Sequence, residues 1–212
     1  MGALKGTITY TKLHVRGDLP DDFRDSFVER VRLRAFQPLT LEDDAEQHTG
    51  WCSIEDPLDT ELGHEKVYFN SYLNLGLRTD RWVIPGPLLK AHLAEAEREH
   101  LAKRKRERLS KKEKEEIRVT VSRRLRKQVL PVMSVVDLSW NLDTGVVRFW
   151  SQSPKALESM MELFEHTFGL DLLPGSPAAS ALMLGLSQAQ TQALEALTPA
   201  VFHAVAPIVA IR

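Results

Sequence analysis

The sequence predicts an α+β fold in which helices pack against an antiparallel sheet and a basic helical hairpin protrudes. The order of elements is strand–helix, then strand, then β-hairpin–helix, and a long charged stretch interrupts it. Such an order is typical of α+β proteins rather than of folds that alternate strand and helix regularly. Residues 88–130 contain neither proline nor glycine, which favours helix throughout that stretch. With 212 residues, 43% of them hydrophobic, the chain can form a real core.

The N-terminal part predicts a strand followed by a helix. Residues 7–15 are rich in β-branched and aromatic side chains, which favour a strand. Residues 21–35 place apolar side chains at helical spacing. The expected buried positions of this helix are Phe23, Phe27, Val28, Val31 and Ala35.

The next part predicts a loop and a half-buried strand. Residues 37–65 are polar and acidic, so we expect a long loop that carries Trp51, with short strands within it left open. Residues 66–77 alternate between apolar and polar side chains, which predicts one strand with Val67, Phe69 and Leu73 on its buried face.

Residues 85–130 predict two helices that form an antiparallel hairpin. Each helix carries an apolar stripe only one residue wide, at spacing four from Ile117 to Val129 in the second helix. A capping-box pattern, Ser110 with Glu113, predicts that the second helix starts near Lys111. Stripes this narrow cannot face a thick core, so the pair, with helices roughly 30 Å long, is expected to protrude.

The C-terminal part predicts a β-hairpin, a helix and a short extension. Residues 134–140 and 146–150 flank a turn with a glycine at its end, and a helix is expected from Pro154 to Gly169. Residues 171–185 are expected to form a linker or irregular lid, followed by short helices at 187–197 and 199–205. The predicted organisation is a central domain of residues 1–84 and 131–172, a hairpin of residues 85–130, and a helical extension of residues 173–212.

Several classes of protein are disfavoured by the sequence. Cys52 is the single cysteine, which excludes an intramolecular disulfide and a multi-cysteine metal site and fits a reducing compartment. The N-terminus lacks a signal-peptide core and no apolar run is long enough for a membrane span, so a cytoplasmic protein is expected. Because no phosphate-cradling loop, nucleophile motif or acid–base constellation is present, we expect neither an enzyme nor a cofactor.

Three minor features remain open as less favoured sites. His92 and His100, with Glu95 and Glu99 nearby, could hold a metal ion on the surface of a helix. The acidic residues 42–46 could indicate a metal-dependent nuclease, although such carboxylates are normally fixed on strands. Asp137 lies in the middle of a predicted strand, where we expect a structural hydrogen bond rather than catalysis.

Charge is segregated along the chain. The net charge is −1, yet residues 98–127 contain 14 lysines and arginines against five glutamates, an excess of +9. Such an excess predicts binding to phosphates, and because no aromatic side chain accompanies the cations, a duplex backbone is favoured over stacked single strands. The candidate DNA-binding residues are Lys103, Arg104, Lys105, Arg106, Arg108, Lys111, Lys112, Lys114, Arg118, Arg123, Arg124, Arg126 and Lys127. The open alternative is a solvated arm stabilised by pairs such as Glu107–Lys111 or Glu113–Arg118.

Short segments in sequence order resemble the recombination-associated protein RdgC family. The likeness covers residues 5–175 and includes the N-terminal strand and helix and the helix from Pro154 to Leu170. The other matching segments are Arg34–Pro38, Gly50–Trp51 with Pro57, Val83–Leu89, Leu109–Lys114, Val129–Pro131 and Leu138–Asp143.

The resemblance implies a non-catalytic, nucleoid-associated protein that binds double-stranded DNA regardless of sequence and modulates homologous recombination. Members of the family form a ring-shaped dimer around DNA, restrain strand exchange by RecA, and use the charged helix pair as a tip that meets its partner. The chain departs from the family at residues 132–135, where the family has Arg-Ala-Phe-Ser, so no role is carried over there. It also has only residues 173–212 beyond the matched region. An open homodimer through the tips, or a different assembly, therefore stays open beside the ring.

The sequence thus favours one function and keeps one alternative. The favoured function is sequence-nonspecific binding of double-stranded DNA, with no catalysis. The alternative is a protein-interaction or dimerisation module whose basic arm binds an acidic partner.

Overall fold

The computed structural model describes residues 2–4, 9–42, 45–182 and 184–198. The chain divides into two compact units, residues 1–173 and residues 174–212. The first unit contains an antiparallel sheet with packed helices, so the predicted α+β class is confirmed.

Seven strands form one sheet in the order β2-β4-β5-β6-β1-β7, and β3 lies beside β4. The strands are β1 (Thr11–Arg16), β2 (Gln47–Cys52), β3 (Tyr68–Phe69), β4 (Tyr72–Arg81), β5 (Val132–Asn141), β6 (Val146–Phe149) and β7 (Asp171–Pro174). The longest ladder joins β4 and β5, which pair antiparallel from Tyr72 opposite Asn141 to Arg81 opposite Val132. The helical hairpin of residues 85–130 is attached to this ladder, because the chain leaves the sheet after β4 and returns to it at β5.

The helices are α1 (Phe23–Leu33), α2 (His64–Val67), α3 (Gly86–Arg104), α4 (Lys111–Arg126), α5 (Pro154–Phe168), α6 (Pro177–Leu182) and α7 (Gln188–Glu195). Of these, α1 and α5 contribute side chains to the core on one face of the sheet. Phe27, Trp140, Phe164 and Phe168 form an aromatic cluster there, with the centroids of contacting rings 4.6 to 5.7 Å apart. Burial of large aromatic side chains is a strong stabilising contribution, so this cluster anchors the unit.

The local signals at the C-terminal β-hairpin and at α5 are confirmed. Gly145 ends the turn between β5 and β6 with φ of 65°. Helix α5 starts at Pro154 and ends at Gly169, which has φ of 70° and donates its N–H to the carbonyl of Glu165. Glycine adopts this left-handed conformation without steric penalty, which is why the helix stops there.

The structure refines one prediction for residues 37–77 and corrects another. The predicted loop contains the edge strand β2, and its Trp51 is fully buried, where Nε1 donates to Oγ1 of Thr167 at 2.9 Å. The predicted single strand is broken by a turn at Asn70, which has φ of 51°. Because the alternation is reset at this turn, Phe69 is 69% exposed although the pattern placed it inside, whereas Leu73 is buried as predicted.

The N-terminal strand and the C-terminal linker also differ from the prediction. Strand β1 begins at Thr11, and residues 7 and 8 of the predicted strand lie outside the described residues. The predicted linker starts with β7, which joins the sheet beside β1, and continues with α6. The predicted helix 187–197 is α7, whereas the one predicted at 199–205 lies outside the described residues.

Asp137 has the structural role that was expected. It is 9% exposed, and its Oδ2 accepts a hydrogen bond from the backbone N–H of Ala3 at 2.6 Å. Burial raises the pKa of this carboxyl above its ordinary value.

Candidate nucleic-acid interface

Helices α3 and α4 form the antiparallel hairpin that the sequence predicted. Near the tip, Nη1 of Arg104 lies 3.0 Å from Oε1 of Glu113. Near the sheet, Nη2 of Arg124 lies 3.4 Å from Nδ1 of His92. The end of α3 therefore meets the start of α4, and the start of α3 meets the end of α4.

The start of α4 is fixed by the predicted capping box. Oγ of Ser110 accepts from the backbone N–H of Glu113 at 3.2 Å, and the backbone N–H of Ser110 donates to Oε2 of Glu113 at 2.9 Å. These donors lower the pKa of the Glu113 carboxyl below its ordinary value. Two of the backbone N–H groups that a helix start leaves unpaired are satisfied in this way.

The tip is a loop of residues 105–110, and α4 starts at Lys111, where the capping-box pattern predicted it. Lys105 has φ of 49°, a left-handed conformation at the C-terminal cap of α3. Its neighbour Arg106 donates its backbone N–H to the carbonyl of Leu101 at 3.2 Å. This helix ending turns the chain back toward α4 while it leaves the basic side chains of the loop exposed.

Little of the hairpin is buried, as its narrow stripes predicted. In α4, Val121 and Leu125 are buried and Ile117 is half-buried. In α3 no described residue is buried. Leu93 and Leu101, which belong to its apolar stripe, are half-buried. The hairpin therefore contacts the rest of its unit mainly at its base.

The base of the hairpin is attached to the segment that leads into β2. Nη2 of Arg126 lies 3.7 Å from Oε1 of Glu46, and the side chain of Arg126 is 13% exposed. The backbone N–H of Trp82 donates to the carbonyl of Glu46 at 3.0 Å. Arg126 thus acts in attachment of the hairpin and is the least accessible of the predicted DNA-binding residues.

Two of the predicted cations form ion pairs within the hairpin. Arg104 and Arg106 both contact Oε1 of Glu113, at 3.0 and 3.5 Å. The expected pairs Glu107–Lys111 and Glu113–Arg118 are absent from the described residues. For the Glu113–Arg118 pair the reason is that the capping box turns the Glu113 carboxylate back toward the tip and away from the following helical turn.

Most of the predicted cations remain available. Twelve of the thirteen are exposed, Arg126 being half-buried. Eight have side chains with no ion-pair or hydrogen-bond partner among the residues that the structure describes. These eight are Lys103, Lys105, Arg108, Lys111, Lys112, Lys114, Arg118 and Lys127.

Three of the unpartnered cations form a row along one side of α4. Lys111, Lys114 and Arg118 are spaced three and four residues apart, so they share one side of the helix. We call these three residues the α4 cation row. Its length is roughly 10 Å at ~1.5 Å per residue, comparable to about three nucleotide steps of ~3.4 Å along one strand of B-form DNA.

Another side of α4 is concave. Thr120, Arg123, Arg124 and Lys127 line a cavity of about 450 Å³ there, together with Leu41 and Glu42. Because Glu42 contributes a carboxylate to this cavity, the cations there face an acidic neighbour. No carboxylate of the described residues forms an ion pair with the α4 cation row, so the row is the stronger candidate for phosphate contact.

The structure supplies no second kind of site in its described part. No three His, Cys, Asp or Glu side chains there form a group that could hold a metal ion. His92 contacts Oε2 of Glu95 at 3.3 Å and also Arg124, a cation that disfavours metal binding beside it. Burial raises the pKa of the Cys52 thiol to about 12, so it is not a thiolate nucleophile near neutral pH. None of the described helices is both long and apolar enough to cross a bilayer.

One functional feature was missed by the sequence reasoning. Glu113 holds two of the tip arginines, although they lie nine and seven residues before it. The capping box was the available signal, because it fixes the direction of this carboxylate toward the tip.

No protein-family model and no curated protein matches the chain.

Proposed function

We propose that the protein binds double-stranded DNA through phosphate contacts of the helical hairpin, without preference for sequence. The observation that carries this proposal is the set of eight exposed cations with no partner in the described chain. A cation that forms an ion pair on the protein surface is already neutralised by its partner. Unpartnered cations instead favour DNA binding, because they release the counterions condensed on a duplex when they contact its phosphates.

The form of the hairpin favours backbone contact over base recognition. Residues 98–127 contain no Phe, Trp or Tyr, so the hairpin offers no aromatic platform on which bases could stack. Lysine and arginine contacts to phosphates position a protein on a duplex but carry no sequence information. Nonspecific duplex binding with strong salt dependence is the behaviour these residues support.

The resemblance to the RdgC family extends the proposal from DNA binding to a role in the cell. A non-catalytic protein that occupies duplex DNA in the nucleoid would modulate homologous recombination by competing with RecA for its substrate. Pairing of two copies through their hairpin tips belongs to the same proposal. The exposed loop of residues 105–110 is the surface that such a contact would use.

The salt dependence of binding tests the proposal. Each phosphate contact contributes about 0.9 to the slope of log affinity against log salt concentration, so Lys111→Gln, Lys114→Gln and Arg118→Gln together should reduce that slope by about 2.7. Fluorescence anisotropy with a labelled duplex of arbitrary sequence provides the measurement. The matched control removes three exposed cations outside the hairpin, by Lys12→Gln, Arg16→Gln and Arg34→Gln.

The outcomes separate the hairpin from general surface charge. The proposal predicts that the control variant keeps nearly the wild-type slope. If both variants lost the same slope, DNA would be attracted by overall charge rather than by the α4 cation row. An undetectable affinity for duplex at low salt would refute DNA binding altogether.

A second candidate function is favoured by the ion pairs at the tip. Arg104 and Arg106 are held by Glu113, which shows that glutamate carboxylates fit the basic side chains of this hairpin. A module that binds an acidic protein segment would use the same geometry. Titration of the same variants with a polyglutamate peptide distinguishes the two, because the module predicts binding to the peptide that competes with DNA or exceeds it.

A further inference from the structure

One side of β5 is open over half of its length. β5 pairs with β4 from Val132 to Asn141, whereas its pairing with β6 covers only residues 138–141. The last bond on the β6 side joins the backbone N–H of Trp150 to the carbonyl of Asp137 at 3.0 Å. Beyond this bond the chain turns away into α5, so on this side residues 132–136 form a strand edge that no described residue pairs with.

The orientation of the unpaired groups follows from the Trp150 bond. The peptide groups of successive residues in a strand point alternately to its two sides. Because the carbonyl of Asp137 faces the β6 side, those of Val135 and Met133 face it as well. The described part of the chain offers these two residues no partner on that side. Two N–H and two C=O groups are therefore free to pair with another strand.

The free edge is also apolar and uncharged. Val132 is 53% exposed, Met133 is 45% exposed, and residues 128–136 contain no charged side chain. Sheets normally protect an exposed edge with lysine, proline or a bulge. Pro131 precedes this edge, but residues 132–136 contain none of these protections. An edge of this kind is suited to a partner strand.

A cavity lies beside the edge on the α5 side. The side chains of Val132, Ser134 and Val136 line it together with Ser153, Lys155 and Ala156 at the start of α5, and Arg81 of β4 also contributes to it. Its volume is about 270 Å³. The cavity can therefore receive side chains from a strand added to the edge.

We propose that this edge pairs antiparallel with the same edge of a second copy of the chain, on a two-fold axis at Ser134. In this register Met133 and Val135 of one copy pair with Val135 and Met133 of the other. All four free peptide groups of each copy are then satisfied. Val132 of one copy lies opposite Val136 of the other, so apolar side chains meet on the cavity side.

Neighbouring registers satisfy fewer groups. An axis at Met133 would place Val135 opposite Pro131, which has no N–H to donate. An axis at Val135 would place Met133 opposite Asp137, whose carbonyl already accepts from Trp150. A second copy fits the edge because the edge is self-complementary in this register and residues 132–136 carry no charged side chain that would repel their own counterparts.

The pairing would bring two hairpin bases together. Val132 of the second copy would lie opposite Val136 of the first copy, which is four residues along the strand from Val132 of the first copy. The two Val132 Cα atoms would therefore lie roughly 13 Å apart along the strands, at ~3.3 Å per residue. The two α4 helices end close to this point, which would double the basic surface. This consequence rests on the proposed DNA binding, whereas the pairing itself does not.

A symmetric disulfide provides the sharpest test. The two Ser134 residues would form a non-hydrogen-bonded pair with Cα atoms about 4.5 Å apart, within the range that a disulfide spans. Ser134→Cys should therefore give a covalent dimer under mild oxidation, detected by mass and by non-reducing electrophoresis. Val132→Cys is the matched control, because its two sulfurs would be too far apart to join. The native Cys52 is buried and does not interfere.

A second pair of variants tests the surface without a covalent bond. Val132→Lys with Met133→Lys places charges at positions that are already exposed, so each protomer should fold normally. Because each change occurs twice across a two-fold interface, the dissociation constant of the dimer should rise at least ~10-fold in sedimentation experiments. The control makes the same changes at exposed leucines elsewhere, Leu33→Lys with Leu58→Lys.

Several results would overturn the proposal. These are a wild-type protein that stays monomeric at high concentration, equal cross-linking at positions 132 and 134, or no cross-linking at either. A dimer that persists unchanged in Val132→Lys with Met133→Lys would also overturn it, since it would point to the hairpin tip. All these measurements are made without DNA, so failure of the pairing and failure of DNA binding are distinguishable.

Discussion

Helices α4 and α5 have nearly the same length, 16 and 15 residues, but they are stabilised in different ways. Helix α5 buries Met160, Phe164, Thr167 and Phe168 against the core, whereas α4 buries only two residues. The caps show the reverse difference. Ser110 and Glu113 form a complete capping box at the start of α4, and α5 begins without any side-chain cap. Packing therefore maintains α5, while local interactions encoded next to each other in the sequence maintain α4.

This difference bears on function. A helix that relies on packing must turn its best side chains inward, as Phe164 and Phe168 show. A helix that relies on caps and intrahelical bonds can expose most of its circumference, and α4 uses that exposure for the α4 cation row. Low burial is thus a condition for accessible charge in the hairpin.

The largest expected effect is the loss of an aromatic side chain from α5. Phe164→Ala removes a fully buried ring that packs on Trp140 and Phe168, and should lower the free energy of unfolding by about 3–5 kcal/mol. Ile117→Ala removes a half-buried side chain from α4 and should cost about 1 kcal/mol or less. Urea denaturation monitored by tryptophan fluorescence measures both.

The ratio of the two effects is the informative quantity. Equal losses of stability would mean that α4 is held by packing as strongly as α5. The difference between the two helices would then disappear.

The elements that the sequence predicted correctly are those with local causes. The cap at Ser110, the turn at Gly145 and the ends of α5 at Pro154 and Gly169 depend on residues within a few positions of each other. Strand β7 was not predicted, and the position of β2 within the predicted loop was not, because the causes of both lie far along the chain. Trp51 in β2 depends on Thr167 and Phe168, and β7 depends on pairing with β1.

The candidate site shows the same division. The sequence identified the hairpin cations and their exposure, since both follow from composition and from narrow apolar stripes. It could not show which cations are engaged, because the pairs of Arg104 and Arg106 with Glu113 cross between two helices. The contact between Arg126 and Glu46 likewise depends on how the hairpin meets the segment before β2.

A smaller effect is expected when the cap of α4 is removed. Ser110→Ala deletes the acceptor for the backbone N–H of Glu113 and should destabilise the start of α4 by about 1 kcal/mol. Hydrogen exchange of amides in the first turn of α4 measures this loss. Ser187→Ala removes the same kind of capping box from α7 and serves as the control, since it should leave exchange in α4 unchanged.

Exchange that spread over the sheet would contradict this expectation. It would show that the hairpin and the core unfold as one cooperative unit. Exchange confined to α4 would instead define the hairpin as a region that opens on its own.

The smallest expected effect is a pair of opposite pH dependences. Hydrogen bonds from Ser110 lower the pKa of Glu113 in the hairpin, whereas burial raises the pKa of Asp137 in β5. A carboxyl with a lowered pKa contributes stability above its unfolded pKa, and that contribution is lost as pH falls through the folded value. A carboxyl with a raised pKa has the reverse sign, so stability is lost as pH rises from its unfolded value through the folded one.

Two neutral variants separate these contributions. Between about pH 3 and 7, Glu113→Gln should lose the most stability relative to wild type at the neutral end, and the difference should vanish toward acid. Asp137→Asn should compare most favourably with wild type at the neutral end, where the native carboxylate carries its charge in a buried position. Unfolding free energies of the three proteins across this range give both signs. Parallel pH profiles for the two variants would mean that the hairpin carboxyl and the β5 carboxyl experience the same environment, against the difference between exposed hairpin and packed core.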